Sequence, residues 1–240
     1  MFQPAAMAPR APGPLVRERK FVSDRANPRA AVSYMAAWAA PDPEFPEGEL
    51  ESVYFDTPDL EAARAKADGD ARKRKVRLRW YRGGPAAARR AAWLEIKDRV
   101  GSARDKARCR VECDAPFLDD APLSDPRWRV LLGSLCAEAG FPLGEGLYPT
   151  VSIRYKRARF VCPETGSRLS VDWDISCPRA NGDAVPFASA LPCPLAVVEA
   201  KSATAWDWPF ADGLSALGFH AESFSKYGYF LERLVHGAFR

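Results

Sequence analysis

Lys75-Val76-Arg77-Leu78-Arg79-Trp80-Tyr81 alternates without a break. Lys75, Arg77 and Arg79 fall on one face of an extended chain, and Val76, Leu78 and Trp80 fall on the other. This is the period-2 pattern of a half-buried strand. It recurs along the chain. After a Gly83-Gly84-Pro85 loop, Trp93 to Asp98 sets Glu95 and Lys97 opposite Leu94 and Ile96. Lys106 to Cys113 sets Lys106, Arg108, Arg110 and Glu112 opposite Ala107, Cys109, Val111 and Cys113. Arg168 to Ile175 places Arg168, Ser170, Asp172 and Asp174 against Leu169, Val171, Trp173 and Ile175. Leu195 to Lys201 places Glu199 and Lys201 against Ala196, Val198 and Ala200. Leu15–Val22, Glu51–Asp56 and Val151–Val161 are further strand candidates.

An antiparallel sheet with one solvated face accounts for any one of these strands. It accounts less well for the set. Solvated faces usually mix Thr, Ser, Gln, Glu and Lys, whereas these faces repeat Arg and Lys. The segment from Arg72 to Arg110 holds 15 Lys/Arg against 3 acids, although the whole chain has only 35 against 31. Such asymmetry points to a concentrated anion site rather than to general solubility. The expected fold is α+β, mainly β: a closed antiparallel β-barrel tunnel with a charged interior and helices packed outside. Burying many cations is too costly unless carboxylates and an anion compensate them. A polyanion ligand is therefore implied.

Helices are expected between the strands. Asn27 caps one with Pro28 at its first position, running to about Trp38. A short one runs from Asp59 through Lys66. Asp125-Pro126 opens a third, with Trp128, Leu131, Leu132 and Leu135 at core spacing and Gly140 as its stop. A fourth starts near Ser225 and carries Tyr229, Phe230, Leu234 and Val235. Pro178 to Pro194 reads as a long loop, and Arg89 and Arg90 as part of a loop between strands. Residues 1–14 read as a disordered tail, and residues 15–240 as one domain without internal repeats.

The remaining composition removes whole classes of chemistry. The 240 residues are 47% hydrophobic, as in a globular protein, and no run of 18 apolar residues offers a membrane span. Only two histidines occur, His220 and His236, which disfavours a multi-His zinc site or a Ser/His/Asp triad. The six cysteines include no C-x-x-C pair, and a reduced, cytoplasmic protein is expected. Neither a Walker A sequence nor G-x-G-x-x-G is present, so phosphate would be held without a glycine cradle.

With these residues in view, the chain resembles the vacuolar transporter chaperone (VTC) domain. That domain is the polyphosphate polymerase branch of the CYTH-like triphosphate tunnel metalloenzyme superfamily. The resemblance is carried, in order, by Glu18-Arg19-Lys20-Phe21, Tyr54-Phe55-Asp56-Thr57-Pro58, Lys75-Val76-Arg77-Leu78-Arg79 and Leu94-Glu95-Ile96-Lys97. It continues through Tyr155-Lys156-Arg157, Arg168-Leu169-Ser170-Val171-Asp172, Val198-Glu199-Ala200-Lys201 and Ser225-Lys226-Tyr227. The resemblance implies a metal-dependent phosphotransferase that moves the γ-phosphate of ATP onto a polyphosphate chain. Phosphate would be bound by Lys20, Arg77, Arg79, Lys97, Arg157, Arg168, Lys201 and Lys226, with Arg77, Arg79 and Lys226 nearest the chemistry. Glu199 would hold Mn²⁺ or Mg²⁺, with Glu18, Glu95, Asp172 and Asp174 as second choices.

The superfamily often opens with Glu-x-Glu-x-Lys. Here the first position is Val16, which weakens a two-metal triphosphatase or cyclase. A metal-dependent inorganic triphosphatase and a non-catalytic polyphosphate-binding module remain as alternatives. Expected partners are a nucleoside triphosphate, tripolyphosphate or polyphosphate. Nucleic acid is not expected, because the cations alternate with apolar residues and share their face with acids. A membrane partner chain is left open.

Overall fold

A computed structural model describes residues 17–67, 72–83, 88–100, 103–138, 140, 146–203 and 208–237. The expected tail at 1–14 and Val16 lie outside these residues. The chain begins with β1 (Arg17–Ser23), α1 (Pro28–Ala36), β2 (Ala40–Pro41), β3 (Glu47–Asp56) and α2 (Glu61–Ala67). Next come the three basic strands β4 (Arg72–Arg82), β5 (Arg89–Val100) and β6 (Ala103–Asp114). The short helix α3 (Ala115–Asp120) and α4 (Arg127–Glu138) lead to β7 (Tyr148–Val161) and β8 (Arg168–Ala180). The chain finishes with β9 (Leu191–Cys193), β10 (Ala196–Ser202), α5 (Ala211–Ala216), β11 (His220–Ala221) and α6 (Lys226–His236).

The helix starts follow their capping chemistry. The Asn27 side chain accepts the Arg29 N–H at 2.9 Å ahead of Pro28, and Asp125 accepts that of Arg127 at 2.9 Å. Ser225 Oγ accepts the Gly228 N–H at 3.3 Å. Gly237, at φ 63°, ends α6 in the left-handed conformation that glycine adopts freely.

All strand pairings are antiparallel, in the order β11-β1-β10-β8-β7-β3-β4-β5-β6, with β2 on β7 and β9 on β8. The expected closure into a barrel does not occur. β11 and its flank occupy the free side of β1: Phe21 pairs with Ala221, Val22 with His220, and the Glu222 N–H reaches Lys20 O at 3.1 Å. The edge of β1 from Lys20 to Val22 is thereby already taken. The sheet curls instead, and leaves a seam between β1 and β6.

The apolar convex face is covered by helices. α3 and α4 pack Leu118, Trp128 and Leu132 on Val76, Leu78, Trp80 and Ile96. α1 and α5 pack Met35 and Leu214 on Phe21, Val171 and Val198. Each fully buried large side chain contributes about 1.5–3 kcal/mol. One helix departs from the expectation that all pack outside. α6 lies inside the curl, with Tyr227, Phe230, Leu231 and Leu234 against Val22, Val151, Ile153 and Val197 of the concave face.

Three further expectations change. Asp174 was placed beside Asp172, but it sits at φ 51° in a region of irregular β7–β8 pairing. It is exposed and pairs with the exposed Lys156 at 2.8 Å, away from the charged interior. Beyond it the faces switch, so Ile175 and Cys177 join the α6 cluster rather than the outer one. Part of the Pro178–Pro194 loop is also β structure, since β9 pairs with β8 at Ile175–Cys177. Arg89 and Arg90 belong to β5, and Arg90 is held by Asp119 at 2.6 Å. All six cysteines are buried and unpaired.

Candidate functional site

Cross-strand register sorts the inward side chains into rows. Lys75, Lys97 and Lys106 are neighbours across β4, β5 and β6. Tyr54, Arg77, Glu95 and Arg108 form the next row, followed by Ser52, Arg79, Trp93 and Arg110. The other wing presents Lys20, Glu199 and Ser170 in one row, and Glu18, Lys201 and Arg168 in another. The curl faces these rows towards one another around a cavity of about 770 Å³.

Among the described residues, ten cations and four carboxylates line it. The wall includes Glu18, Lys20, Arg77, Arg79, Glu95, Lys97, Arg157, Arg168, Glu199, Lys201 and Lys226, all of them named from the sequence. It also includes Lys75, Lys106, Asp98, Tyr54, Tyr155 and Ser225, which were not assigned to the site. The signal for Lys75 and Lys106 was available, because each shares the inward face of its strand with chosen residues.

Exposure grades from lip to interior. Lys97, Lys106 and Arg168 are exposed, and the Glu18 side chain is 41% accessible. Arg79, Lys226 and Arg157 retain only 11%, 12% and 13%. The interior cations are held by counter-ions. Arg77 Nε donates to Glu95 at 2.7 Å, and Arg77 Nη1 donates to Tyr54 Oη at 3.1 Å. Burial would raise the Glu95 pKa, but Arg77 and then Arg79 outweigh it and hold the carboxyl far below the usual range.

Arg157 grips Asp172 through Nε at 2.5 Å and Nη2 at 2.7 Å, and Lys226 Nζ shares that carboxylate at 2.5 Å. Asp172 has no exposure; burial opposes its ionisation, but Arg157 and Lys226 bring its pKa to about 2. Lys20 Nζ contacts Glu18 at 3.0 Å and donates to Phe224 O at 3.0 Å, and Lys75 donates to Ser225 Oγ at 3.2 Å. The start of α6 is thereby tied to strands on both wings.

Two groups respond to the unbalanced charge. Although Lys97 is exposed at the lip, Arg77 beside it, then partial desolvation by the surrounding wall and Lys201 across the cavity, bring its ammonium down to about 8. Burial would raise the Tyr54 phenol, but Arg77, Arg79 and Lys75 lower it to about 8. Arg79 is held more loosely, donating to Ser52 Oγ at 3.2 Å and lying 3.8 Å from Glu95. Its guanidinium keeps donors for a ligand.

The described residues contain no cluster of three acidic, His or Cys side chains that could enclose a metal. Glu18 and Glu199 do lie diagonally across paired β1 and β10, and each feels the other's charge. Lys201 pairs with Glu199, and Lys20 with Glu18. Mg²⁺ is commonly held by one or two carboxylates together with substrate phosphates, and this pair fits that donor set. Glu95, another second choice, lies on the opposite wing and pairs with Arg77.

No helix among the described residues is long and apolar enough to cross a membrane. None of the curated proteins matches the chain. Similar solved structures include HpAC1 from Hippeastrum, assigned as an adenylyl cyclase and revealing a dominant triphosphatase activity. It has 16% identity and a TM-score of 0.47, over 90% of this chain and 94% of that chain. Another, assigned as an adenylate cyclase from Bacillus halodurans, has 12% identity and a TM-score of 0.46, over 87% and 92%. The family model of the VTC domain matches residues 46–235, which carry most of the cavity wall. On that match, the chain belongs to the VTC domain family.

Proposed function

We propose that the chain is a metal-dependent phosphotransferase of the polyphosphate polymerase type. It would move the γ-phosphate of ATP onto the end of a phosphate chain held in the cavity. The supporting observation is the excess of ten cations over four carboxylates on one concave wall, with the most buried cations fixed in place. Arg77 and Arg79 project from one strand roughly 7 Å apart, a spacing that lets two guanidiniums grip one linear phosphate chain. In the transfer, the bond from the γ-phosphorus to the bridging oxygen breaks and ADP leaves. A terminal oxygen of the acceptor chain forms the new P–O bond.

The residues act by position and charge. Glu95 and Tyr54 orient Arg77, and Asp172 orients Arg157 and Lys226, so these donors need little reorganisation as charge shifts. Glu199 and Glu18 would hold Mn²⁺ or Mg²⁺, which would supply compensating positive charge to the phosphates during transfer. The six buried, unpaired thiols and the need for ATP fit a cytoplasmic setting.

A second reading, hydrolysis of a triphosphate, is favoured by the exposed lip at Lys97, Lys106 and Arg168, which admits water. Incubation with ATP and Mn²⁺, followed by gel separation and an orthophosphate assay, distinguishes them. Long-chain phosphate is expected; orthophosphate alone would make the protein a triphosphatase. Tight tripolyphosphate binding with neither product would leave a binding module. Glu199→Gln should lose turnover by at least about a hundredfold, yet still bind tripolyphosphate without metal.

A further inference from the structure

The basic wall stops short of the end of the concave face. Arg79 is the last residue of β4 on it, and the next inward side chain is Tyr81. The Tyr81 ring stacks on Phe45 at 4.6 Å and 11°, and meets Trp93 edge to face at 5.8 Å. Trp93 is the cross-strand neighbour of Arg79, and Phe45 arrives from the connection between β2 and β3. Arg159 of β7 lies 5.2 Å from the Tyr81 ring, and its Nη1 donates to Phe45 O at 3.3 Å. The close approach extends to the β3 backbone, because a Cβ on Gly48 would meet the Tyr81 ring at 3.2 Å. Side chains of β4, β5, β7 and the loop before β3 therefore meet over β3 at this end of the concave face.

α6 fills the opposite end. Tyr227 stacks on Tyr54 at 4.9 Å and donates to Asp56 at 2.7 Å. Phe230 and Leu234 behind it are fully buried. Among the described residues, the lip at Lys97, Lys106 and Arg168 is the part of the cavity wall between these two ends that is exposed.

We propose that Phe45, Tyr81 and Trp93 form an end stop, so that the cavity accepts the free terminus of a linear phosphate chain and rejects a chain without one. A phosphate pushed past Arg79 would lose hydration to aromatic surface, and Arg159 is already engaged by the rings. The inference rests on the reading of the cavity as a phosphate site and adds which part of the ligand it holds. A chain would be held by its end, with the remainder leaving through the lip.

The test is equilibrium binding to wild-type protein and to Phe45→Ala. The probes are tripolyphosphate, ATP, and a pentaphosphate esterified with adenosine at both ends. Wild type should bind tripolyphosphate and ATP, and the doubly capped chain at least about tenfold more weakly. Phe45→Ala, in which the stop is opened, should narrow that gap to about threefold or less; Trp93→Ala serves if Phe45→Ala does not fold. A doubly capped chain binding wild type as tightly as tripolyphosphate would overturn the stop. So would a gap that folded variants leave unchanged. Failure of wild type to bind any of the three would overturn the phosphate reading itself, and the stop with it.

Discussion

The two faces of the curled sheet both bury arginines, and they do so differently. On the convex side, Glu51 has no exposure and accepts from Arg82 at 2.8 Å, Arg154 at 3.0 Å and Arg179 at 2.6 Å. Asp119 of α3 accepts from Arg90 at 2.6 Å, Arg82 at 3.0 Å and the Trp80 indole at 3.1 Å. Arg179 also donates to Leu118 O and Ala121 O, both at 2.8 Å. This cluster is directed inward and fastens α3 to the sheet. On the concave side, cations exceed carboxylates, two groups are pushed to pKa values near 8, and a lip is open to solvent. A buried arginine is thus no indicator of a site. Excess charge with access to solvent is a better one.

The contrast breaks most visibly at Glu51. Glu51→Gln leaves three arginines facing one neutral amide, and losing one partner of a buried charge cluster costs about 3–5 kcal/mol. At about 2–4 °C per kcal/mol for a chain of this size, melting should fall by roughly 6–20 °C. The additional stabilisation by tripolyphosphate should be retained. Scanning calorimetry with and without tripolyphosphate checks both, and loss of the ligand effect would merge the two clusters into one.

Arg79→Ala should do the reverse. A charged-group contact is worth about 1.5–3 kcal/mol, so affinity for tripolyphosphate should fall at least about tenfold in a titration. Melting of the empty protein should hardly change, because the nearest counter-ion of Arg79 is Glu95 at 3.8 Å, which Arg77 already holds more closely, and Arg79 sits among other cations.

A smaller effect sharpens the same contrast through pH. Above about 8, Lys97 becomes neutral and Tyr54 becomes anionic, and both changes weaken the attraction for phosphate. Affinity should fall as pH rises from 7 to 9, and Lys97→Met with Tyr54→Phe should flatten the profile. Stability of the empty protein should move the other way. In both groups the folded pKa lies below the usual value, so above about 8 the unfolded chain holds more protons and folding is favoured as pH rises. Binding and melting series across that range measure the two trends, and parallel trends would contradict the assignment.

How much of this was legible follows from the range of each interaction. Alternation in β4, β5, β6 and β10 is local, so the inward placement of Arg77, Arg79, Lys97 and Glu199 could be read from period 2 alone. Closure could not. It depends on a two-residue strand, His220–Ala221, which is too short to carry a period yet occupies the β1 edge. The reversal beyond Asp174 is equally hidden, because one left-handed residue exchanges the faces of everything after it. Glu51 and Arg179 are 128 residues apart, and neither carries a local mark of the other. The apolar face of α6 was visible as a helix pattern. That it packs inside the curl is decided by Lys20, Lys75 and Asp172, which bind its first turn and the residues just before it.

The central claim is that the concave charge forms a specific site for linear phosphate. It is tested most directly by melting the wild-type protein in tripolyphosphate and in sulfate at matched charge and ionic strength. Ligand at 100 times its dissociation constant stabilises by about 2.7 kcal/mol, so tripolyphosphate should raise melting by roughly 5–11 °C. Sulfate should do far less, and Arg79→Ala should largely remove the difference. Equal shifts from the two anions would show that the concave cations act only as diffuse charge, and would contradict the account.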